Sequence, residues 1–125
     1  MLKKVAVYLF NRNPIERIQP AHNKVFTKTL WIDHMARYEF AEKKLHPGAL
    51  LDIACGEGYG SAYLARKARH VVGVDISSEV IANAKQKYMS HRNLTFEAAD
   101  ALDYLKHTKK TFDTIVCFET IEHIR

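Results

Sequence analysis

No apolar run in this sequence is long enough to cross a membrane. The stretch Val5 to Phe10 follows Lys3-Lys4 and then gives way to polar residues, whereas a helical span needs about 20 apolar residues. No small-residue cleavage site follows it, so secretion is not expected. Cysteine is scarce: Cys55 and Cys117 lack metal-ligand spacing, and a reduced, cytoplasmic setting suits them best. Seven histidines are scattered without paired spacing, so no metal centre is expected. Nor is there a long block of one charge. The net charge of +5 arises from small groups such as Lys43-Lys44, Arg66-Lys67-Arg69 and Lys109-Lys110, which fall near predicted helix ends or loops and read as solvated surface. Nucleic acid is therefore not an expected partner, and an RNA-directed role would demand a steep salt dependence of binding. With 125 residues, 47% of them hydrophobic, the chain can bury one core, not two full domains.

Glycine is sparse too, and its placement is uneven. Of five glycines, Gly56, Gly58 and Gly60 fall within five residues. They follow Leu50-Leu51-Asp52-Ile53, an apolar run of buried-strand length, and lead into Ser61 to Lys67, which is helix-like. Such a strand, glycine turn and helix lets the backbone bend sharply and a ligand approach closely, with free N–H groups at the helix start. A nucleotide-like ligand is the natural occupant. Spacing alone does not select it, because Gly56-x-Gly58 with small Ser61 also satisfies a loose dinucleotide fingerprint. Asp52 separates the readings: a carboxylate at the end of an apolar strand is costly unless it meets a donor or cation. It would repel a pyrophosphate, whereas the methionine end of S-adenosylmethionine brings an ammonium.

Val5 to Phe10 reads as a strand, and Asn11 to Pro20 as an irregular lead-in. Between Asn23 and Leu45 apolar residues recur at helical spacing until His46-Pro47-Gly48, predicting one or two helices. This stretch either covers a sheet edge or lets His34, Arg37 or Tyr38 reach over the pocket as part of a lid. His70 to Asp75 is an apolar strand ending in an acid. At the tip of a second parallel strand Asp75 could accept both ribose hydroxyls, with Ile76 against the adenine face; the alternative is a helix cap, which Ser77 or Ser78 could equally supply. A helix is expected from Ser78 to Met89, then a strand over Asn93 to Ala98. Asp100 follows, flanked by Ala99 and Ala101, either accepting from an exocyclic amine or capping a helix. Thr111 to Phe118 reads as a fourth, central strand. Beyond it, Glu119 or His123 could take a proton from an acceptor, or the glutamates could favour a following helix start.

These segments resemble the class I S-adenosylmethionine-dependent methyltransferases, in particular the branch acting on small molecules, glycans and lipids. The resemblance runs from about Leu45 onward, through Leu51 to Gly60, Val72 to Ser77, Ala99-Asp100-Ala101 and Phe112 to Ile124. It implies an α/β, Rossmann-like, doubly wound and mostly parallel sheet with an N-terminal helical segment. It also implies a methionine site at Asp52, Ala54 and the Gly56 to Gly58 backbone, a ribose acceptor at Asp75, and an adenine contact at Asp100 with Ala101. Ala54 departs from the pattern, standing where the family's glycines often begin. The expected division is a lead-in over 1–22, a helical cover over 23–47 and a partial cofactor-binding domain over 48–125. The family sheet has seven strands, so the chain reads as an N-terminal fragment truncated after its fourth strand. That strand's exposed edge would favour self-association unless Val5 to Phe10 covers it.

The implied reaction is methyl transfer to a small-molecule, sugar or lipid acceptor, leaving S-adenosylhomocysteine. Two other classes stay open. A nicotinamide-dependent oxidoreductase would share the turn and Asp75, and a non-catalytic assembly module would oligomerise without binding cofactor.

Overall fold

The computed structural model describes residues 6–9, 25–45 and 48–117. Strands and helices alternate along it: β1 (Ala6–Leu9), α1 (Val25–Lys44), β2 (Ala49–Ile53), α2 (Tyr59–Leu64), β3 (His70–Asp75), α3 (Ser78–Lys87), β4 (Leu94–Ala98), α4 (Ala101–His107) and β5 (Thr114–Cys117). The strands form one sheet in the order β1-β5-β2-β3-β4, and every pairing is parallel. This is the doubly wound, Rossmann-like α/β arrangement.

The central strands are apolar on both faces because both faces are covered. Leu50, Val71, Leu94, Phe96 and Val116 pack with Tyr38, Ala41 and Leu45 of the α1 segment, Leu64 of α2, and Ile81 and Ala84 of α3. Alternate residues Leu51, Ile53, Val72, Val74 and Cys117 turn the other way, against Tyr104 and Phe112. Three helices thus cover one face and α4 the other. Register follows the same logic, with Leu51 opposite both Val72 and Ile115, and Asp52 opposite Gly73 and Val116.

Helix ends follow local chemistry. Ser77 caps α3, its Oγ accepting from the Val80 amide at 3.3 Å, and Lys43 and Lys44 fall in the last turn of α1, where the negative end of the helix dipole favours them. Sequence periodicity did not reveal α4: seven residues with one buried side chain, Tyr104, carry little pattern. Its start was nonetheless marked by Asp100, whose Oδ1 accepts from the amides of Leu102 and Asp103 at 3.0 and 3.1 Å.

One expectation is corrected. The strand read as an exposed edge, now β5, lies between β2 and β1, and Ala6 to Leu9 run parallel to it in register with Thr114 to Cys117. The N-terminal strand covers that edge, which removes the reason for self-association through it.

Asp113 locks β5 to β2 at the start of both strands. Its Oδ2 accepts from the Ala49 amide at 2.9 Å, while its own amide donates to the Ala49 carbonyl at 2.8 Å. A Cβ on Gly48 would collide with the same carboxylate. Replacing Asp113 by Ala leaves the Ala49 amide without its side-chain acceptor and is expected to destabilise the chain by about 1–3 kcal/mol, read as a lower urea midpoint with an unchanged m-value.

Candidate functional site

In an open parallel sheet ligands sit beyond the carboxyl ends of the strands, where the strand order reverses. Here the chain passes from β2 outward to β3 and β4, then returns to the other side of β2 as β5. The reversal lies at the tips of β2 and β5, and the glycine turn projects from that place.

Three residues of the turn have positive φ: Ala54 at 59°, Gly56 at 57° and Gly58 at 89°. The Cys55 amide donates to the Val74 carbonyl at 3.0 Å and the Gly58 amide to the Cys55 carbonyl at 3.2 Å, so the bend closes directly after β2. The glycines differ in their reasons. Nothing lies within 4 Å of where a Cβ on Gly56 would project, so this backbone faces open space. A Cβ on Gly58 would sit 2.7 Å from the Phe96 ring, and one on Gly60 would enter the ring of Tyr38. Gly56 leaves room for a ligand, whereas Gly58 and Gly60 leave room for the protein's own aromatic rings.

Asp75 holds the turn to the tip of β3. Its Oδ2 accepts from the Gly56 amide and its Oδ1 from the Ser77 amide, both at 3.0 Å. Ser77 itself caps α3, so Asp75 is not the cap. Beside it Ile76 is 70% exposed, an apolar side chain standing in solvent at the tip of β3. Further along, both cap bonds of Asp100 use Oδ1. The helix-cap reading of Asp100 is therefore correct, and it coexists with a carboxylate at the tip of β4. Ala101 begins α4 directly behind it.

Asp52 occupies a different place from the one expected. It is 0% exposed, sealed beneath the turn, not facing a ligand across it. Ser61 Oγ donates to its Oδ2 at 2.7 Å, and the Tyr38 hydroxyl donates to the same oxygen at 3.2 Å. Tyr38 is corrected with it: the side chain read as part of a lid is buried under Gly60. Burial, then the neighbouring Asp52 charge, hold its phenol well above the usual value, so it stays a donor. The same two causes, burial and then Asp52, with Asp75 after them, push the Cys55 thiol up, away from the thiolate form.

Arg37 is half-buried on α1. The side chain of His34 lies outside the described residues, as do Glu119 and His123. Sequence reasoning missed Ser61 as the partner of Asp52, although a small hydroxyl residue at the start of the helix was a usable signal. It also missed Phe96, which it placed in a strand without giving it a neighbour. Among the described residues no three His, Cys, Asp or Glu side chains gather to hold a metal ion, and no helix is long and apolar enough to cross a membrane.

Comparison with known proteins agrees with this fold. A family profile described as "Methyltransferase domain" matches residues 50–125. A ubiquinone biosynthesis O-methyltransferase of Thiobacillus denitrificans is 28% identical over 113 residues, covering 90% of this chain and 46% of the relative. Phosphoethanolamine N-methyltransferase 1 of Zea mays is 41% identical over 93 residues, covering 70% and 18%. The chain spans less than half the length of these relatives. Among solved structures, magnesium protoporphyrin IX methyltransferase from Synechocystis with bound SAH superposes with a TM-score of 0.61 at 25% identity, over 79% of this chain and 48% of that one.

The backbone of the turn yields a paired test. A left-handed non-glycine residue costs roughly 1–2 kcal/mol, partly offset by the roughly 0.5–1 kcal/mol entropy cost of glycine. Ala54→Gly is therefore expected to stabilise the chain by about 0.5–1 kcal/mol. Gly60→Ala, forcing a methyl into the Tyr38 ring, is expected to destabilise it by about 1–3 kcal/mol. Thermal unfolding followed by circular dichroism should move the two midpoints in opposite directions.

Proposed function

The chain belongs to the methyltransferase-domain family, and from that premise we propose that it binds S-adenosylmethionine at the tips of β2, β3 and β4 and serves methyl transfer to a small-molecule, sugar or lipid acceptor. The observation that carries this reading is the tip of β3. Asp75 anchors the Gly56 amide, an apolar Ile76 stands exposed beside it, and the space over Gly56 is open. An acid, a flat apolar contact and an accessible backbone are what a ribose, an adenine and an amino-acid tail require.

In this reading the Asp75 carboxylate, which accepts the Gly56 and Ser77 amides, also accepts the ribose hydroxyls. Ile76 covers one face of the adenine. Asp100, whose cap bonds use Oδ1, offers Oδ2 to the exocyclic amine, with small Ala101 leaving room for the ring. The Gly56 and Gly58 backbone lies along the methionine moiety, while Asp52 and Ala54 shape the turn from below. His34 and Arg37 on α1, and Glu119 and His123 beyond β5, are proposed for the acceptor side, with Glu119 or His123 taking the acceptor's proton.

When bound, S-adenosylmethionine supplies a methyl carbon activated by a sulfonium: the acceptor's lone pair forms the new bond as the carbon–sulfur bond breaks, its electrons going to a neutral thioether. The protein's share is alignment of the two partners. The named relatives act on oxygen in one case and nitrogen in the other, which supports the reaction class without choosing the acceptor. A cytoplasmic location is proposed on the two buried thiols, Cys55 and Cys117.

Titration calorimetry with S-adenosylhomocysteine tests the site. The folded chain is expected to bind it and to give no heat with NAD. Asp75→Asn, which keeps the side chain's size but loses one acceptor, is expected to weaken binding by about tenfold or more. A folded wild-type chain that ignores S-adenosylhomocysteine would overturn the proposal.

A further inference from the structure

The contacts of α1 point beyond a passive cover. Two residues four positions apart on this helix, Tyr38 and Glu42, both reach α2. On the inner side the Tyr38 ring lies under Gly60, meets the Tyr59 ring edge-on at 6.2 Å between centroids, and sends its hydroxyl to Asp52 Oδ2 at 3.2 Å. That oxygen also accepts from Ser61 of α2 at 2.7 Å. On the outer side Glu42 accepts from Tyr63 at 3.2 Å and Arg66 at 3.0 Å, and its carbonyl accepts from Lys67 at 3.2 Å. The Arg66 and Lys67 contacts are exposed to water, and such pairs contribute little, while the Tyr63 contact is part-buried. The inner ones are sealed, and a hydrogen bond to a buried carboxylate is among the stronger kinds.

We propose that Tyr38 is a positioning residue for the cofactor turn: through Asp52 and Gly60 it clamps α1 to α2 and fixes the turn that precedes α2. The proposal rests on the cofactor reading given above and assigns Tyr38 no contact with cofactor or acceptor. Asp52 sits in β2, in register with Gly73 and Val116 at the centre of the sheet, so it is a fixed point. A donor from α1 and a donor from α2 meeting at one of its oxygens set where both helices stand. The aromatic ring fills the space that a glycine at position 60 leaves, which ties the height of α2 over the sheet to the placement of α1. In consequence α1 supports the cofactor site from below.

The test uses the 125-residue chain and two variants. Tyr38→Phe keeps the ring under Gly60 and removes only the hydroxyl. Leu94→Val thins the same core layer at the start of β4, remote from the turn, and serves as a stability control. Each is measured for S-adenosylhomocysteine affinity by calorimetry, for thermal midpoint, and for amide hydrogen exchange across residues 35–45 without ligand. Tyr38→Phe is expected to weaken binding by about tenfold and to raise exchange in α1, while Leu94→Val lowers the thermal midpoint yet leaves affinity within about twofold. Unchanged affinity in Tyr38→Phe, or an equal loss in Leu94→Val, overturns the positioning role. Unchanged α1 exchange in Tyr38→Phe overturns the clamp itself, whether or not ligand binds. Absence of binding by the folded wild-type chain overturns the cofactor reading and the positioning role with it, and the exchange data distinguish that failure from a failure of the clamp.

Discussion

A carboxylate with no exposure to water lies near the middle of an apolar parallel sheet, and much of the surrounding structure answers to it. Leaving such a charge without donors would cost several kcal/mol. Asp52 therefore needs donors, and Tyr38 and Ser61 bring hydroxyls to it, one from each of two helices. Both helices bring a donor to the carboxylate, and the apolar residues around Tyr38 and Leu64 make their docking favourable. Polar need and hydrophobic burial thus favour the same placement.

The turn above Asp52 shows why a glycine pattern is not a single signal. Gly56 faces open space, Gly58 faces Phe96 and Gly60 faces Tyr38. One opens outward to free space; two admit aromatic rings. Ala54 shows the opposite case, a side chain held at positive φ, where backbone strain is stored at the base of the turn. The Gly56 amide bound to Asp75 then sets the spacing between the tips of β2 and β3, so the geometry of the crevice follows from a contact between a backbone donor and a strand-end acid.

Much of this was legible in the residue order. His70 to Asp75 is a strand with the expected ends, the Asn23 to Leu45 periodicity became a single helix, and Asp75, Ile76 and Asp100 all stand at strand tips. These features are local, and local patterns survive in sequence. What escaped was set by packing between distant segments. That Asp52 faces inward depends on Tyr38, fourteen positions earlier, and no periodicity distinguishes an acid aimed at a ligand from one aimed at a phenol. The helix α4 was too short to carry a pattern. The partner of β5 was foreseeable only as a candidate, because pairing Ala6 with Thr114 is a decision made by the whole sheet.

That last pairing has a consequence for how the chain comes together. β5 is inserted between β1 and β2, yet it is the last of the described strands in chain order. A polypeptide growing from its N-terminus carries β1 through β4 before β5 exists, so β1 waits without a neighbour in the sheet and β2 has one open side. Closing that gap joins segments from the two ends of the described chain, an entropically demanding step of the kind that slows folding. Until it closes, two strand edges stay available to other chains. Among the described strands the order of synthesis runs against the spatial order of the sheet, because β5, the last of them to be made, sits inside it.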